Sequence, residues 1–260
     1  MQTNLDRGSQ LKRAILNTMQ YKAHINISKE MKILDFGAGG GDILNAFLMD
    51  NYDCYGIDIT KIGYEKFVST NYENNERIRR YHMYDGTIVP FESCFFDFIY
   101  CWFVAEHIKH IDTSIKEMTR ICKQGGYIAI FTQDGRSSYE GHAKIPWPPF
   151  LPVQFFPAYL DEYGWDSILP GASQKQIDEF ISYLTNEVFY VTEPAIKSIL
   201  EYFGMRIVYS SQLDIVHDNI PRGIITEEDA RMAARYYKKQ KEKGYWKMPA
   251  NIILIAQKIL

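Results

Sequence analysis

The 260-residue sequence lacks several features that would place it outside ordinary globular enzymes. It has only four cysteines, and none forms a C-x-x-C pair, which disfavours an iron–sulfur or thiol-redox centre. Its formal net charge is −3, so no overall basic field is available to hold a nucleic-acid backbone. The composition favours small core cysteines in a reducing compartment and argues against nucleic acid as the main partner.

Signals for export and for membrane insertion are also missing. The first ten residues lack the basic start and apolar core of a signal peptide. The most apolar stretch, residues 95–104, contains Asp97 and is too short to cross a bilayer. We therefore expect a cytoplasmic protein with no membrane span.

What the sequence does contain is a regular alternation of short apolar runs and helical periods from residue 31 to residue 132. Alternation of this kind predicts parallel βαβ units, and hence an α/β fold with a doubly wound, mostly parallel sheet. Asp112 is expected to cap the second of these helices. The predicted strands cover residues 31–36, 54–59, 77–84, 95–103 and 127–132, and the predicted helices cover 42–50 and 112–123.

The alternation stops after Thr132 and resumes near Thr192. Residues 133–172 hold six of the ten prolines and many aromatic side chains, and a segment this long between strands is usually functional or folds on itself. We predict an inserted cap at residues 133–191, with a helix at 173–188. The core then comprises residues 31–132 and 192–260. Residues 1–30 form a helical segment that either covers the cofactor as a lid or patches the sheet. The last predicted elements are a helix at 192–202, a strand at 205–216, a helix at 226–243 and a strand at 251–259.

A glycine-rich loop follows the first predicted strand and carries the sharpest chemical signal. Its pattern is D-x-G-x-G-x-G, formed by Asp35, Gly37, Gly39 and Gly41. Glycines let the backbone turn tightly and approach a ligand that a Cβ atom would exclude. A dinucleotide fingerprint would place its third glycine at position 42, where this chain has Asp42. An acidic loop without that glycine suits a cofactor that has no phosphate and a positive end, an ammonium and a sulfonium.

Two further acidic residues follow strands at the same predicted edge of the sheet. Asp58 ends the second strand and is placed to accept hydrogen bonds from both hydroxyls of a ribose, while Ile59 can pack on an adenine ring. Asp85 follows the third strand and could accept from an adenine amino group. Either aspartate could instead be only a turn residue or a helix cap.

These stretches together resemble class I S-adenosylmethionine-dependent methyltransferases, in particular the widespread group with a Glu-His pair after the fourth strand. The resemblance covers about residues 30–132 and continues weakly at 192–213. It implies a seven-stranded sheet whose last strand is antiparallel, with Gly37 and Gly39 at the methionine end of the cofactor and Asp58 at the ribose. It also implies that Trp102 and Phe103 flank the site beneath the methyl group. The residues that carry it are 35–41, Asp58, Pro90-Phe91, Phe96-Asp97, Ala105-Glu106-His107 and Lys123 to Tyr127.

Methyl transfer from a sulfonium mainly requires alignment of donor and acceptor, but a hydroxyl or ammonium acceptor must also lose a proton. His107 is the first candidate base because it titrates near neutrality, and His142 is the second. His107 could equally be a residue that shapes its loop, and Glu106 could be structural. His107 and His110 have H-x-x-H spacing, but no third ligand is close in sequence, so we expect no metal site.

The inserted cap is expected to hold the acceptor, a small polar molecule. Tyr139, Trp147 and Tyr159 combine flat apolar surfaces with polar tips, which suits a sugar; each could instead belong to the core of the cap. The stretch around residues 141–152 resembles methyltransferases that modify bacterial surface polysaccharides or their activated precursors. A basic stretch at residues 235–247 is interpreted as a solvated helix face.

Two other functions remain open at this level. One is a catalytically silent protein on the same fold that acts through binding. The other is a nicotinamide-dependent oxidoreductase, which the acid at position 42 disfavours.

Overall fold

A single mixed sheet of seven strands organises the chain. The computed structural model describes residues 2–148, 151–211, 226–243 and 251–259, with side chains from residue 7 onward. The strands of the sheet are β1 Lys32–Phe36, β2 Asp53–Asp58, β3 Tyr81–Met83, β4 Phe96–Trp102, β5 Cys122–Thr132, β8 Met205–Ser210 and β9 Ile252–Lys258, while β6 Tyr139–Glu140 and β7 Ile145–Pro146 form a separate hairpin. The strand order is β3-β2-β1-β4-β5-β9-β8; strands β1 to β5 are parallel, and β9 runs antiparallel to both of its neighbours. The predicted doubly wound sheet with an antiparallel last strand is confirmed.

Helices cover both faces of this sheet because β1, β4 and β5 are apolar on both sides. The helices are α1 Gln2–Lys22, α2 Asp42–Met49, α3 Lys61–Thr70, α4 Asn75–Ile78, α5 Ile111–Ile121, α6 Phe156–Tyr163, α7 Gln174–Asn186, α8 Glu193–Tyr202 and α9 Glu227–Glu242. Buried side chains of α5 and α8 pack on one face of the sheet, and those of α1 and α2 pack on the other. None of the helices within the described ranges is both long and apolar enough to cross a bilayer.

Three local predictions were wrong, each at the boundary of an element. The strand predicted from residue 77 starts only at Tyr81, since Asn74 caps the short helix α4 by accepting from the Arg77 amide. Asp112 lies inside the first turn of α5 and is not its cap; the helix follows His110, which makes no side-chain capping bond. The strand predicted from residue 127 begins at Cys122, which pairs with Phe96 across a bulge. The part of the predicted strand at 212–216 lies outside the described residues.

The cap is a third packed layer with a core of its own. It contains the β6–β7 hairpin, α6 and α7, and its buried residues include Trp147, Tyr159 and Leu184. Helix α9 adds its alanine-rich face, with Ala233 and Ala234 fully buried in the same cluster. Thr226 caps α9 as expected from its position before an acidic first turn. The cap therefore draws on a second stretch of chain beyond residues 133–191.

Helix α1 is packed against α2 and the sheet. Ile15 and Met19 are fully buried in the core on that face, and Lys12 donates to the Ala46 carbonyl at 3.0 Å and pairs with Asp50. A Cβ atom on Gly8 would collide with the Asp42 carbonyl at the start of α2. These contacts favour the helix that patches the sheet over a freely moving lid, although α1 also runs beside the end of the glycine loop.

Candidate active site

The glycine loop joins β1 to α2 at the carboxyl edge of the sheet, where ligands bind in open α/β folds. Gly37, Gly39 and Gly41 all have positive φ angles, of 82°, 51° and 75°, so a side chain at any of them would strain the backbone. Their surroundings differ. A Cβ atom on Gly37 would lie 2.5 Å from the Val104 side chain, and one on Gly41 would collide with Phe67, whereas one on Gly39 would meet nothing within 4 Å. Of these three glycines, Gly39 therefore faces open space that a ligand can fill.

Backbone and side-chain hydrogen bonds hold the loop in this shape. The amides of Gly37 and Ala38 both donate to the Ile57 carbonyl, at 2.9 and 2.8 Å. The Tyr81 hydroxyl donates to the Gly39 carbonyl at 2.6 Å. The loop is thus fixed to β2 and β3 before any ligand binds, which lowers the ordering cost of binding.

Asp58 connects the glycine loop to the start of α3. Its Oδ2 accepts from the Gly39 amide at 2.7 Å, and its Oδ1 accepts from the Thr60 amide and hydroxyl at 2.7 and 2.6 Å. The residue is only 8% exposed. Because each carboxylate oxygen can accept two hydrogen bonds, Oδ2 keeps one lone-pair site for a ribose hydroxyl. Asp58 thus fills the turn role that the sequence left open for it, also holds the glycine loop, and keeps capacity for the predicted ribose contact.

Asp35 is an acid buried without a full set of partners. It is 2% exposed, and its Oδ2 accepts no hydrogen bond from any described residue. Burial raises the pKa of Asp35 to about 7. Unsatisfied buried oxygens are rare and often mark a ligand or an unassigned water. A carboxylate beneath an open loop fits a cationic cofactor, whose positive charge would favour the ionised form.

The adenine end of the predicted site is exposed. The Ile59 side chain is 60% exposed, and its Cγ2 lies 3.6 Å from the Cβ position of Gly86, so Ile59 and the turn after β3 are neighbours. Asp85 uses Oδ1 to accept from the Thr87 amide and hydroxyl at 2.9 and 2.6 Å, and these bonds lower its pKa. Asp85 is therefore a turn residue whose other oxygen is available to an adenine amino group.

Trp102 and Phe103 lie where β4 leaves the sheet. The Trp102 ring packs on Phe131 with centroids 4.7 Å apart and on Phe103 at 5.6 Å. Phe103 adopts a left-handed φ of 52° and donates to the Phe131 carbonyl at 2.7 Å. This turn directs Val104 against Gly37, so the end of β4 borders the glycine loop; the position of Trp102 and Phe103 beneath a methyl group stays a prediction.

The two predicted histidines meet although 35 positions separate them in the chain. The ring centroids of His107 and His142 are 5.2 Å apart, and Tyr183 of α7 packs on both rings, at 5.9 and 5.4 Å. His107 Nδ1 is bonded to the Glu187 carbonyl at 3.0 Å. The structure thus joins the loop after β4 to the hairpin and to α7 of the cap.

A buried carboxylate orients His142. Glu140 is fully buried, and its Oε1 lies 2.6 Å from His142 Nδ1 and accepts from the Tyr190 hydroxyl at 3.1 Å. Its Oε2 accepts from the Ala143 amide at 2.5 Å. Burial lowers the pKa of His142, but the hydrogen bond and charge of Glu140 more than offset it, so the net pKa lies above the ordinary value. An imidazole held in this way is oriented for proton transfer through Nε2.

Glu106 is buried beside this pair. It is 2% exposed, its Oε2 accepts from the Thr132 hydroxyl at 2.6 Å, and its carbonyl accepts from the Phe189 amide at 2.6 Å. One ligand-type atom each from Glu106, His107 and His142 lies within 4.8 Å of the other two. His110, whose spacing suggested a pair with His107, is exposed on the surface.

The three residues predicted to bind the acceptor lie in different environments. Tyr159 is fully buried, packs on Trp147 at 5.1 Å and donates to the Pro146 carbonyl at 2.8 Å, so in this conformation it belongs to the core of the cap. Trp147 is 4% exposed but has an edge on a small cavity. Tyr139 is half-buried at the start of the hairpin. That cavity is lined by Gln133, Asp134, Gly135, Ser137, Trp147, Leu151 and Tyr190.

Two roles in this region were not predicted from the sequence: that of Glu140 as the partner of His142 and that of Gln133. Glu140 carried only the weak signal of an acid two positions before a histidine. Gln133 anchors the hairpin, since its Nε2 donates to the Tyr139 carbonyl at 2.6 Å and its Oε1 accepts from the Gly141 amide at 2.9 Å. No sequence pattern could have indicated this bridge, because it depends on how the hairpin folds back on β5.

Comparisons with known proteins identify the family and the fold of the chain. The model of a family described as a methyltransferase domain matches residues 7–210. The uncharacterized methyltransferase YcgJ of Bacillus subtilis (strain 168) is 31% identical over 99 residues, which span 37% of this chain and 38% of that protein.

Solved structures share the fold over nearly the whole chain. An S-adenosylmethionine dependent methyltransferase from Mesorhizobium loti superposes with a TM-score of 0.57 at 14% identity, covering 97% of this chain and 99% of that one. A putative sarcosine dimethylglycine methyltransferase from Galdieria sulphuraria gives a TM-score of 0.54 at 13% identity, over 97% and 85% of the two chains. At such identities these structures show a common fold.

The sheet order and the site at its carboxyl edge define the class I methyltransferase fold. The chain belongs to the methyltransferase domain family. Family and fold together support the predicted enzyme class, an S-adenosylmethionine-dependent methyltransferase.

Proposed function

We propose that this protein transfers the methyl group of S-adenosylmethionine to a small polar acceptor held between the sheet and the cap. The observation that carries the proposal is the pairing of two sites at one edge of the sheet. The open glycine loop lies at the end of β1, and Val104, beyond the end of β4, is in contact with Gly37. Three residues later, the partly buried His107 meets His142 of the β6–β7 loop.

The cofactor would lie along the glycine loop, with Gly39 facing it and Asp35 near its charged methionine end. Asp58 would accept from the ribose, Ile59 would cover the adenine, and Asp85 would reach its amino group. S-adenosylmethionine supplies an electrophilic methyl group on a leaving group that is already activated. The task left to the chain is to orient the acceptor and to exclude water.

The histidine pair would receive the acceptor's proton. His142 has Nδ1 held by Glu140, so Nε2 is the atom that would take a proton as the acceptor oxygen or nitrogen attacks the methyl carbon. Glu140 would stabilise the imidazolium that results. His107, whose Nδ1 is likewise occupied, would help to position the acceptor.

We further propose a sugar, or its activated precursor in bacterial surface-glycan synthesis, as the acceptor. Support comes from the sequence resemblance of residues 141–152 and from the mixture of polar and aromatic side chains, including Gln133, Ser137 and Trp147, that lines the small cavity of the cap. Residues 133–191, with the addition of α9, would select the acceptor, while the sheet alone selects the cofactor.

The first test is cofactor binding by a loop variant. Gly39→Val should abolish binding of S-adenosylmethionine and of its demethylated product, because the new side chain fills the open space at the loop. Wild-type affinity is expected to be micromolar, about −8 kcal/mol. Gly125→Val is a matched control, since Gly125 also has positive φ and open space around its Cβ position but lies at the far end of β5. Normal calorimetric binding by Gly39→Val would place the cofactor elsewhere.

The second test is transfer of an isotopically labelled methyl group to a panel of nucleotide-activated sugars. Labelled sugar product supports the proposal. Cofactor binding without transfer to any sugar, nucleotide, lipid or protein in the assay would favour the catalytically silent alternative. Binding of a nicotinamide dinucleotide in place of S-adenosylmethionine would favour the oxidoreductase.

A further inference from the structure

The cluster of Glu106, His107 and His142 has a property that proton transfer does not require. Each side chain has one ligand-type atom within 4.8 Å of those of the other two. The three residues come from the turn after β4 and from the loop between β6 and β7, so the sequence spacing conceals the grouping. Two imidazoles and one carboxylate are a donor set that binds divalent first-row metals.

The hydrogen bonds around the cluster leave one free ligand atom on each residue. His107 Nδ1 is bonded to the Glu187 carbonyl and His142 Nδ1 to the Glu140 carboxylate, so each Nε2 is the remaining nitrogen. Glu106 Oε2 accepts from Thr132, and within the described ranges no group donates to its Oε1. Metal-binding histidines almost always have their other ring nitrogen bonded to a carboxylate or a backbone carbonyl, which is the arrangement of both rings here.

The charge balance of the cluster points to a cation independently of this geometry. Glu106 and Glu140 are 2% and 0% exposed, and across the described part of the chain neither pairs with a lysine or arginine; His142 is the one basic side chain in an ion pair with either of them. Buried carboxylates are stable when they are paired or when they bind a metal ion. Glu140 is paired with His142, so Glu106 is the buried carboxylate of the cluster that has no basic partner among the described residues, and a bound cation would balance its charge.

We propose that Glu106, His107 and His142 form a binding site for a divalent first-row transition-metal ion such as Zn²⁺. Ligand bonds of about 2.0–2.2 Å in a tetrahedral site place atoms that share an ion roughly 3.3–3.6 Å apart. Since one ligand-type atom from each side chain already lies within 4.8 Å of those of the other two, these atoms need to close by up to about 1.5 Å, a displacement within the reach of side-chain rotation. Glu140 and the Glu187 carbonyl orient the ligands and do not bind the ion themselves.

The site goes beyond methyl transfer, and ion binding can be measured with neither cofactor nor acceptor present. With an ion bound, both imidazoles act as ligands, so in the loaded protein neither is free to be the proton acceptor proposed for methyl transfer.

The experiment uses untagged full-length protein stripped with a chelator. Zn²⁺ binding is measured by competition with a chromophoric chelator, and Co²⁺ is used as a spectroscopic probe of the ligand set. One ion per chain is expected, with a d–d absorption band for Co²⁺. His107→Ala and His142→Ala should each weaken Zn²⁺ binding by at least about 100-fold, and Glu140→Gln by about 10–100-fold. His110→Ala, which removes an exposed histidine three positions from His107, should bind Zn²⁺ like the wild type.

Circular dichroism and cofactor calorimetry on the same variants report whether each one is folded. His107 is only partly buried, so His107→Ala is expected to fold and can test the site even if His142→Ala does not fold. Absence of stoichiometric Zn²⁺ binding by the wild type, or binding by His107→Ala equal to that of His110→Ala, would overturn the metal site. Either result would leave the cofactor assignment untouched, since that depends on Gly39→Val.

Discussion

At the scale of single residues, burial and a few specific partners determine the hydrogen bonding of each acid at the site. Asp35 and Glu140 are both buried acids next to proposed ligands, but their environments differ. Glu140 has a histidine, a tyrosine hydroxyl and a backbone amide around it, whereas Asp35 Oδ2 receives no hydrogen bond from the described residues. The first acid orients a neighbour, and the second is left available for a cationic ligand.

The unsatisfied acid predicts an unusual pH dependence of stability. The pKa of Asp35 is raised from 3.8 to about 7 in the folded protein. Its contribution to stability is therefore complete below pH about 4 and is lost as pH rises through about 7, where ionisation in the buried site becomes unfavourable. Asp35→Asn should remove this loss and make the cofactor-free protein more stable at pH 8, by at most about 4 kcal/mol.

Denaturant melts of wild type and Asp35→Asn at pH 4 and pH 8 would measure this difference. The same variant should bind S-adenosylmethionine less tightly, because a neutral amide cannot pair with an ammonium. Equal stability of the two proteins at both pH values would show that the carboxyl is solvated in solution.

The Glu140–His142 pair gives a second pH prediction, for turnover by the ion-free protein. His142 must be neutral to accept a proton, so activity should fall as pH drops through its pKa. Glu140 raises that pKa, and Glu140→Gln should therefore move the acidic limb of the pH–rate profile to lower pH and also reduce the maximal rate. A limb that stays in place in Glu140→Gln but disappears in His107→Ala would assign the base to His107.

At the scale of elements, the site is an edge where loops from neighbouring strands are tied together. Asp58 is the central tie, since it connects the loop after β1 with the start of α3. Asp58→Ala should weaken cofactor binding by about 1.5–3 kcal/mol, the range for hydrogen bonds that involve a charged group. Thr60→Val removes the hydrogen bond from the Thr60 hydroxyl to Asp58 but leaves the carboxylate, and should weaken cofactor binding by less than about 0.5 kcal/mol.

Calorimetry with the demethylated cofactor distinguishes the two roles of Asp58. If Thr60→Val lost as much affinity as Asp58→Ala, the carboxylate would act through the loop and not through the ribose.

The elements also show what sequence could and could not determine. Strands β1, β2, β4, β5 and β9 were predictable because each is an apolar run bounded by turn residues. The glycine loop was predictable because its backbone demands glycine at fixed spacing. Strand β3 was overextended, since its three residues are defined by pairing with β2. The roles of the aromatic residues in the cap could not be predicted, because the sequence does not distinguish an aromatic side chain in a ligand pocket from one in a hydrophobic core. Tyr139, which is half-buried, and Tyr159, which is fully buried, illustrate this.

The same limit applies to the chemistry of the site. His107 and His142 were each candidates from residue type alone, but nothing in the sequence indicated that they would meet. Their contact depends on the hairpin that Gln133 holds against β5. The sequence predicts no metal site because His107 and His110 have no third ligand close in sequence, whereas the proposed site takes His142 from a distant loop.

For the whole molecule, the division into a sheet for the cofactor and a cap for the acceptor leads to one more prediction. Tyr139→Ala should lower turnover of the acceptor while changing affinity for the demethylated cofactor by no more than a few tenths of a kcal/mol, about the error of additivity for separate sites. Tyr202→Ala on α8, whose side chain is 83% exposed, is the control and should be silent in both assays. Full activity of Tyr139→Ala would move the acceptor elsewhere, with the surface under α1 as the next place to test.

The antiparallel strand β9 sets the order in which the molecule can be completed. It lies between β5 and β8, and its pairing joins Tyr127 to Gln257 and Met205 to Lys258. Until β9 pairs with them, β5 presents an open edge and β8 has no partner strand within the sheet, and such edges invite pairing with other chains. Because long-range pairing is slow to form, we expect a chain that has not yet added β9 to be prone to aggregation. Pairing of β9 is therefore expected to be the step that protects both strands during synthesis.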